Sequence, residues 1–340
     1  MRRTDCRFVD AAAAADVAAD PAVDPPAVAV PRRERGAAII TALLVVTLAA
    51  VLVNALFYRM NVSIRSIENR ASLAQTRWVE RAAVDWARVV LASDLRTTTV
   101  DHPIEVWAQP IPETKLDATV TGGQPITDDS RDAFLAGQIV DAQARYNVNN
   151  LVDAGGRPDN LQRAAFRRLL VGLGLPEQLE SALVIRLMNA RPTVVDNRVV
   201  PATLPPLMRL TDLSDLPGFD SAALQKLQPH AIVLPEPSKI NLHTASAEVI
   251  AAVLDISLGQ AKRFVRNRET KPYGSVDLAI DSAGGQKSPE IRQLVDVSTN
   301  WFIIGGLIRY DRIESLTETL LHRTGNQASQ SVKVVWQHRN

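Results

Sequence analysis

The chain has 340 residues, enough for about two domains. Apolar residues make up 46% and charged residues 22%, which excludes wholesale disorder, and 20 prolines with 16 glycines exclude collagen-like or linker-dominated chains. Thirty-eight Lys and Arg against 37 Asp and Glu leave a net charge of +1, which excludes a surface that is a nucleic-acid footprint throughout.

Residues 1–36 are rich in Ala, Asp and Pro, read as unstructured, and end in Pro31-Arg32-Arg33-Glu34-Arg35-Gly36. They carry the one cysteine, Cys6, so an intrachain disulfide, a CxxC motif and a multi-cysteine zinc site are excluded. Ala37 to Tyr58 follows without a charge. As a helix this run spans about 33 Å, close to a bilayer core of about 30 Å. Arg32, Arg33 and Arg35 precede it, so the positive-inside rule keeps the N-terminus in the cytoplasm and places everything after Arg59 outside it. Three readings compete. A buried core helix would tolerate neither so long an uncharged run nor so sharp a basic flank. A secretory signal peptide would have a shorter apolar region ending at an A-x-A-like site. A type IV pilin-like signal is cut between a basic leader and an apolar helix that is then kept. Gly36 suits the residue before such a cut, because a small, flexible residue threads an extended backbone through the peptidase. Ala37 is then the new N-terminus and Thr41 the fifth mature residue, where most pilins carry Glu.

From about Arg59 to Leu95 the pattern stays helical. Trp78, Val79, Ala82, Ala83, Trp86, Val89 and Val90 form one apolar stripe at period 3.6, with Arg77, Glu80, Arg81, Asp85 and Arg88 mostly on the other side. One long helix is expected, its second half under a sheet with Trp78 and Trp86 as core anchors. Strands are expected at Ile104–Ala108, Leu116–Thr121 before a Gly122-Gly123 turn, and Gly137–Tyr146, and near the C-terminus at Trp301–Arg309, Arg312–His322 and Ser331–Gln337. The last three are parted by turns at Tyr310-Asp311 and Arg323-Thr324-Gly325-Asn326. Between the sheet pieces, Leu161–Leu173, Pro176–Ala190, Ser221–Leu227, Ala245–Leu254 and Leu258–Arg268 have helical periods. The simplest arrangement is an all-α domain inserted into an α+β domain.

Several of these segments, in this order, resemble the K-type minor pseudopilin of the type II secretion system, the general secretion protein K family. They are Arg35-Gly36-Ala37 with Ala42-Leu43-Leu44-Val45-Val46, Ile64-Arg65-Ser66-Ile67-Glu68-Asn69, Asp85-Trp86-Ala87-Arg88-Val89-Val90-Leu91 and Ala144-Arg145-Tyr146-Asn147-Val148-Asn149-Asn150-Leu151, then Leu234-Pro235-Glu236-Pro237 and Ile240-Asn241-Leu242-His243-Thr244-Ala245. The resemblance covers about residues 33–338. It implies a pilin-like fold, with a long N-terminal helix on an antiparallel sheet, and an inserted all-α domain. On this chain that means a cleaved leader at 1–36, a transmembrane segment at 37–58, a pseudopilin α+β domain at 59–149 and 299–340, and the helical insert at 150–298. It implies cleavage after Gly36 by the prepilin peptidase and N-methylation of Ala37. The family's leader is usually much shorter, which leaves the cut where it is. The family also lacks the fifth-position Glu, so Thr41 fits it. In pilins that Glu is thought to neutralise the ammonium of a neighbouring subunit, and a subunit at the filament tip has no such neighbour ahead of it. Thr41 then avoids an unpaired charge in the membrane, where the bland reading is an ordinary small helix residue.

The resemblance further implies a non-enzymatic subunit, single-pass in the inner membrane with its C-terminal domains in the periplasm. Its implied partners are the I-type and J-type minor pseudopilins, the major pseudopilin filament, the prepilin peptidase and the inner-membrane secretion platform, with no nucleic acid. The implied function is to form a tip complex that starts pseudopilus assembly and limits its length, supporting export of folded proteins across the outer membrane. Calcium has been seen in the family. Asp128, Asp129 and Asp132 are candidate oxygen ligands for it, as are Asp153 and Asp159 around Gly155-Gly156, although no EF-hand spacing is present and a solvated acidic loop is the bland reading. The rival reading is a membrane-anchored DNA-binding protein of a DNA uptake system, because Leu213–Leu224 and Ile240–Ile250 look like helix-hairpin-helix repeats. In the second, Thr244 would cap a helix with Glu248 in its first turn, and Lys262, Arg263, Arg266, Arg268 and Lys271 follow. Against it, Asp255-Ile256-Ser257-Leu258-Gly259 lacks one of the two hairpin glycines. Among the five histidines no HExxH spacing occurs, and GxSxG, GxxxxGK[ST] and GxGxxG are absent.

Overall fold

The structure is a computed structural model that describes residues 34–116, 132–195, 198–269, 272–310, 312–326 and 329–339. The leader up to residue 33, nearly all of the strand expected at Leu116–Thr121 and the Gly122-Gly123 turn lie outside the described residues. The chain divides into two compact units, Met1–Ser66 and Ile67–Asn340.

One helix, α1 (Glu34–Thr97), runs through 64 residues, as the sequence led one to expect. In the first unit, Ala37 to Tyr58 present every side chain to the surroundings, and the segment is long and apolar enough to cross a membrane.

The second unit is built on one antiparallel sheet in the order β1 (Ile111–Lys115), β2 (Ala133–Asp141), β9 (Trp301–Tyr310), β10 (Ile313–Asn326) and β11 (Ser329–Arg339). Alternation along β9 sorts its side chains to the two faces. Phe302 and Ile304 pack with Ile139, Leu321 and the Ala87 and Leu91 positions of α1, while Trp301 and Ile303 pack with Ala142, Leu234 and Leu320 on the opposite face. Leu320 and Leu321 are adjacent yet both buried, one on each face, and the β10–β11 register shifts at that point.

Between β2 and β9 lie β3 (Tyr146–Asn147), α2 (Asn160–Gly172), α3 (Leu179–Asn189), β4 (Thr193–Val195), β5 (Arg198–Val200), α4 (Ser221–Leu227), β6 (Ala231–Ile232), β7 (Ile240–Asn241), α5 (Ala247–Leu254), α6 (Leu258–Arg268), α7 (Val276–Ala283), α8 (Pro289–Leu294) and β8 (Val295–Asp296). Their apolar faces share one core that includes Phe166, Leu183, Phe219, Ile250 and Phe264. Helices α4 and α6 coincide with the expected spans. Helices α7 and α8 were not anticipated. Ser275 and Ser288 cap them, and Pro289 opens α8.

Four expectations need correction. Ile104–Ala108 is not a strand. Val106–Ala108 is a 3-10 turn that buries Trp107, whose Nε1 donates to Glu105 at 2.8 Å, and the edge strand is β1 instead. The strand expected at Gly137–Tyr146 starts earlier, at Ala133, and stops at Asp141, whose carboxylate accepts from Gln143 N at 2.7 Å and turns the chain into a 3-10 turn. The turn expected at Arg323–Asn326 is still strand β10.

The fourth concerns α1. Val79, Ala87 and Leu91 face the sheet, but Trp78 is 62% and Trp86 48% exposed, so neither is a core anchor. The expected single stripe is two. The indoles lie roughly a third of a turn away from the buried line, an offset that one broad 3.6-residue period conceals. Glu80, read as solvent-facing, is buried beneath the sheet. It accepts from Ser315 Oγ at 2.8 Å and from Arg339 Nε at 3.0 Å.

Candidate functional site on the long helix and its polar anchor

Gly36 and Ala37 lie in the first turns of α1. Thr41 is exposed, and its hydroxyl donates to the carbonyls of Ala37 and Ala38, each at 3.0 Å. Within the helix Thr41 therefore needs no partner from outside, which an intramembrane Glu would.

In the second unit, Trp78, Ala82, Trp86 and Val89 line one exposed flank of α1. The Arg81 guanidinium sits 5.4 Å from the Trp78 ring centre, a cation–π geometry that leaves the outer edge of the indole open. Beside this flank, a groove of about 440 Å³ runs between α1 and the sheet, lined by Ala83, Trp86, Trp107, Ile111, Leu135 and Ile304. Exposed aromatics continuous with an apolar groove are the surface pattern of a protein interface.

One buried arginine links the sheet to the end of α1 and the chain that follows it. Arg323 on β10 is 2% exposed. It donates to both carboxylate oxygens of Asp101 (2.5 and 2.7 Å), to Asp94 (2.8 Å) and to Thr299 O (2.8 Å), and lies 4.7 Å from the Phe302 ring centre. Burial pushes the Asp101 carboxyl up to about 7 against the opposing pull of Arg323. Asp141, also buried, is raised by burial while accepting from Thr244 Oγ1 (2.5 Å) and Asn241 Nδ2 (2.8 Å). His243 is held down to about 4, first by burial and then by repulsion from His102 and Arg268. Its neutral Nε2 accepts from Tyr273 N at 3.0 Å. Asp94, Asp101 and Glu105 are the one carboxylate group among the described residues close enough to share a metal ion. All three are engaged by the chain itself, since Arg323 holds the two aspartates and Glu105 accepts from Thr98, His102 N and Trp107. Sequence reading missed this hub, because its members lie about 220 residues apart and no local pattern links them.

The calcium candidates fare differently. Asp128 and Asp129 lie outside the described residues, and Asp132 pairs with Lys115 at 2.5 Å on the surface. Asp159 is the N-cap of α2, and Asp153 accepts from Arg157 N, so both are spent on turns. The cap of α5 is Ser246 and not Thr244, whose hydroxyl goes to Asp141, although Glu248 is in the first turn as expected. Between α5 and α6, Asp255 adopts φ 54° where a phosphate-binding hairpin would use glycine, and its carboxylate faces Arg168 at 3.5 Å. Lys262, Arg263 and Arg266 are exposed, Arg268 turns inward to Leu242 O, and Lys271 lies outside the described residues.

Two family models of type II secretion system protein K match, one of its first domain over residues 144–236 and one over residues 240–298. The type II secretion system protein K of Pseudomonas aeruginosa is 31% identical over 267 residues, covering 72% of this chain and 76% of the relative. The chain belongs to the type II secretion system protein K family. The protein K of Pectobacterium carotovorum subsp. carotovorum is 25% identical over 335 residues, covering 89% of this chain and 95% of that one. A chain of the crystal structure of the GspK–GspI–GspJ complex from enterotoxigenic Escherichia coli superposes with a TM-score of 0.62 at 21% identity, over 80% of this chain and 98% of that one, a likeness of fold. As a member of this family the chain is a minor pseudopilin, a structural component of protein secretion, and the DNA-uptake reading is not favoured.

Proposed function

We propose that this minor pseudopilin is the tip subunit of the type II secretion pseudopilus. The prepilin peptidase cuts after Gly36, Ala37 becomes the N-methylated N-terminus, and α1 anchors the chain in the inner membrane with the remainder in the periplasm. The parts 59–149 and 299–340 act as the pilin-like domain, and the helices of 150–298 form an inserted domain too bulky to repeat along a filament. I-type and J-type minor pseudopilins dock on the chain to form a complex that starts assembly on the inner-membrane platform, limits the length of the major-pseudopilin filament and so supports export across the outer membrane. The Trp78–Val89 flank and its groove are the surface we assign to that docking.

Thr41 carries the tip assignment. Its hydroxyl is satisfied by Ala37 and Ala38, so the helix brings no carboxylate seeking a subunit ahead of it. The peptidase step is tested by the mass and N-terminal sequence of the membrane-extracted protein from cells with and without the enzyme. A methylated Ala37 that depends on the enzyme supports the reading, and an intact leader or a cut beyond Tyr58 sinks it. Thr41→Glu should lower secretion at unchanged protein level, and full secretion by that variant would remove the tip argument. Calcium at Asp128, Asp129 and Asp132 remains a proposal, tested by calcium titration of the full chain against the triple Asn variant.

A further inference from the structure

Among the described residues, the arginines drawn into this fold each hold at least one neighbour through the guanidinium, with one exception. Arg323 holds two aspartates, Arg163 pairs with Glu180, Arg191 donates to the carbonyls of Asn149 and Val152 at 2.9 and 2.6 Å, and Arg268 reaches Leu242 O. Arg145 differs. Its backbone is fixed at the end of the 3-10 turn after β2, with Arg145 N donating to Ala142 O and the buried Tyr146 following. Burial lowers the pKa of its guanidinium, as it does for Arg191 and Arg268. Yet among the described residues that guanidinium has neither a hydrogen bond nor an ion pair. Arg145 is half-buried and its nitrogens still reach solvent, so its five donors are left to water or to an acceptor that enters the place beside it.

The place exists. A cavity of about 250 Å³ opens beside Arg145, walled by Met208, Arg209, Leu224, Glu318, Trp336 and His338. Arg209 lies against the His338 ring, with its two Nη atoms 3.2 and 2.9 Å from the ring nitrogens. The lining holds these two guanidiniums and one carboxylate, Glu318, which is exposed and forms no ion pair with Arg145, although its field and that of the buried Asp141 both act on it. A carboxylate entering the cavity would meet both guanidiniums. The volume admits one side chain and not a folded surface. Trp336, Leu224 and the exposed Met208 offer an apolar wall to methylene groups, from which a bare inorganic anion would gain nothing.

We propose that this cavity is a carboxylate-binding site that accepts a glutamate or aspartate side chain of a partner protein, held by Arg145 with Arg209 at the rim. Arg145 suits the role because its planar fork meets a carboxylate with two parallel N–H···O bonds. Only the protein origin of the carboxylate rests on the reading of the chain as an assembly subunit. The site itself stands on Arg145 and the cavity.

The test is a calorimetric titration of the full chain in detergent at fixed ionic strength. Its probes are N-acetyl-glutamate N-methylamide, the matching glutamine compound and acetate. Saturable binding of the glutamate compound is expected, with at least tenfold weaker binding of the glutamine compound and of acetate, and tenfold loss in Arg145→Gln. Glu318→Gln should tighten binding severalfold, because it removes a like charge from the cavity. Absence of saturable binding, equal binding of the glutamine compound, or unchanged affinity in Arg145→Gln overturns the site. So does weaker binding in Glu318→Gln, because a carboxylate held by Arg145 must gain when a like charge is removed from the cavity. Acetate binding as tightly as the glutamate compound overturns the side-chain source. If Arg145→Gln fails to fold, Arg209→Gln (weaker) and Glu318→Gln (tighter) still decide. Failure of the native chain to bind I-type and J-type pseudopilins, with carboxylate binding intact, would count against the assembly reading alone.

Discussion

Replacing Arg323 by Met keeps much of the side-chain volume and removes the charge that holds Asp101 and Asp94. In the native structure that guanidinium makes contacts of 2.5, 2.7 and 2.8 Å to carboxylate oxygens, from a residue 2% exposed. Its loss leaves two acidic groups enclosed beside Glu105 and near Asp141, with no cation among them. Removing one partner of a buried ion pair typically costs about 3–5 kcal/mol. For a unit of this size each kcal/mol lowers Tm by about 2–4 °C, so a fall of roughly 6–20 °C is expected. Thermal unfolding of the detergent-solubilised full chain, followed by near-ultraviolet circular dichroism, measures it. Adding Asp101→Asn to the Met variant should recover part of the loss, because it removes one stranded charge. Lowering the pH from 8 to 5 should also narrow the gap to wild type, since the stranded carboxyls then take up protons. A loss below about 1 kcal/mol, or a gap independent of pH, would refute the argument that Arg323 is the electrostatic centre of the second unit.

Further outcomes follow from other positions. His243 is held down to about 4 in the fold against an ordinary 6.5, so the folded state binds fewer protons than the unfolded one between those values. Its contribution to stability is full above pH 6.5 and is lost as pH falls toward 4. Asp101, raised to about 7, acts in the opposite direction over much the same window, so the quantity to read is the difference between wild type and His243→Gln, which should shrink as pH is lowered. A constant difference from pH 7 to 4.5 would contradict the buried-imidazole account. Trp86→Ala should change the unfolding midpoint little, because the ring is 48% exposed, while weakening I-type or J-type pseudopilin binding about tenfold in a pull-down titration. Gly325 has φ 109°, and an added Cβ would stand 1.9 Å from Ser329 O, so Gly325→Ala should cost about 2 kcal/mol or more in chemical denaturation.

The sequence made the membrane-length helix, the five helices with strong periods and the three C-terminal strands legible, because each is set by local alternation or amphipathicity. Helices α7 and α8, of eight and six residues, escaped because Pro272, Gly274, Gly284, Gly285 and Pro289 crowd their ends and make the whole stretch read as loop. Trp78 and Trp86 were misplaced because a residue type argues for burial only where a surface exists to bury it, and here the sheet meets the neighbouring line of residues. The proposal for Gly36, Ala37 and Thr41 rests on the charge boundary and the spacing that follows it. The Arg323 hub and the Arg145 cavity could not be found in that way, since what distinguishes them is the presence or absence of a partner supplied by distant strands.

The two strands at the middle of the sheet, β2 and β9, pair Asp141 with Phe302 across about 160 residues of intervening chain. Left to a flexible chain, closing such a loop would be entropically expensive and slow. The intervening helices have their own core, however, and their ends are fastened to each other: Asn300 N donates to Gln143 at 2.7 Å and Gln143 Nε2 donates to Lys239 O at 2.8 Å. If that helical core condenses first, it acts as a clasp that delivers Trp301 to the end of β2 and turns a long closure into a short one. Until then β1 and β2 stand as a hairpin with an open edge, so the safe order of maturation runs from the middle of the chain outward to its C-terminal strands.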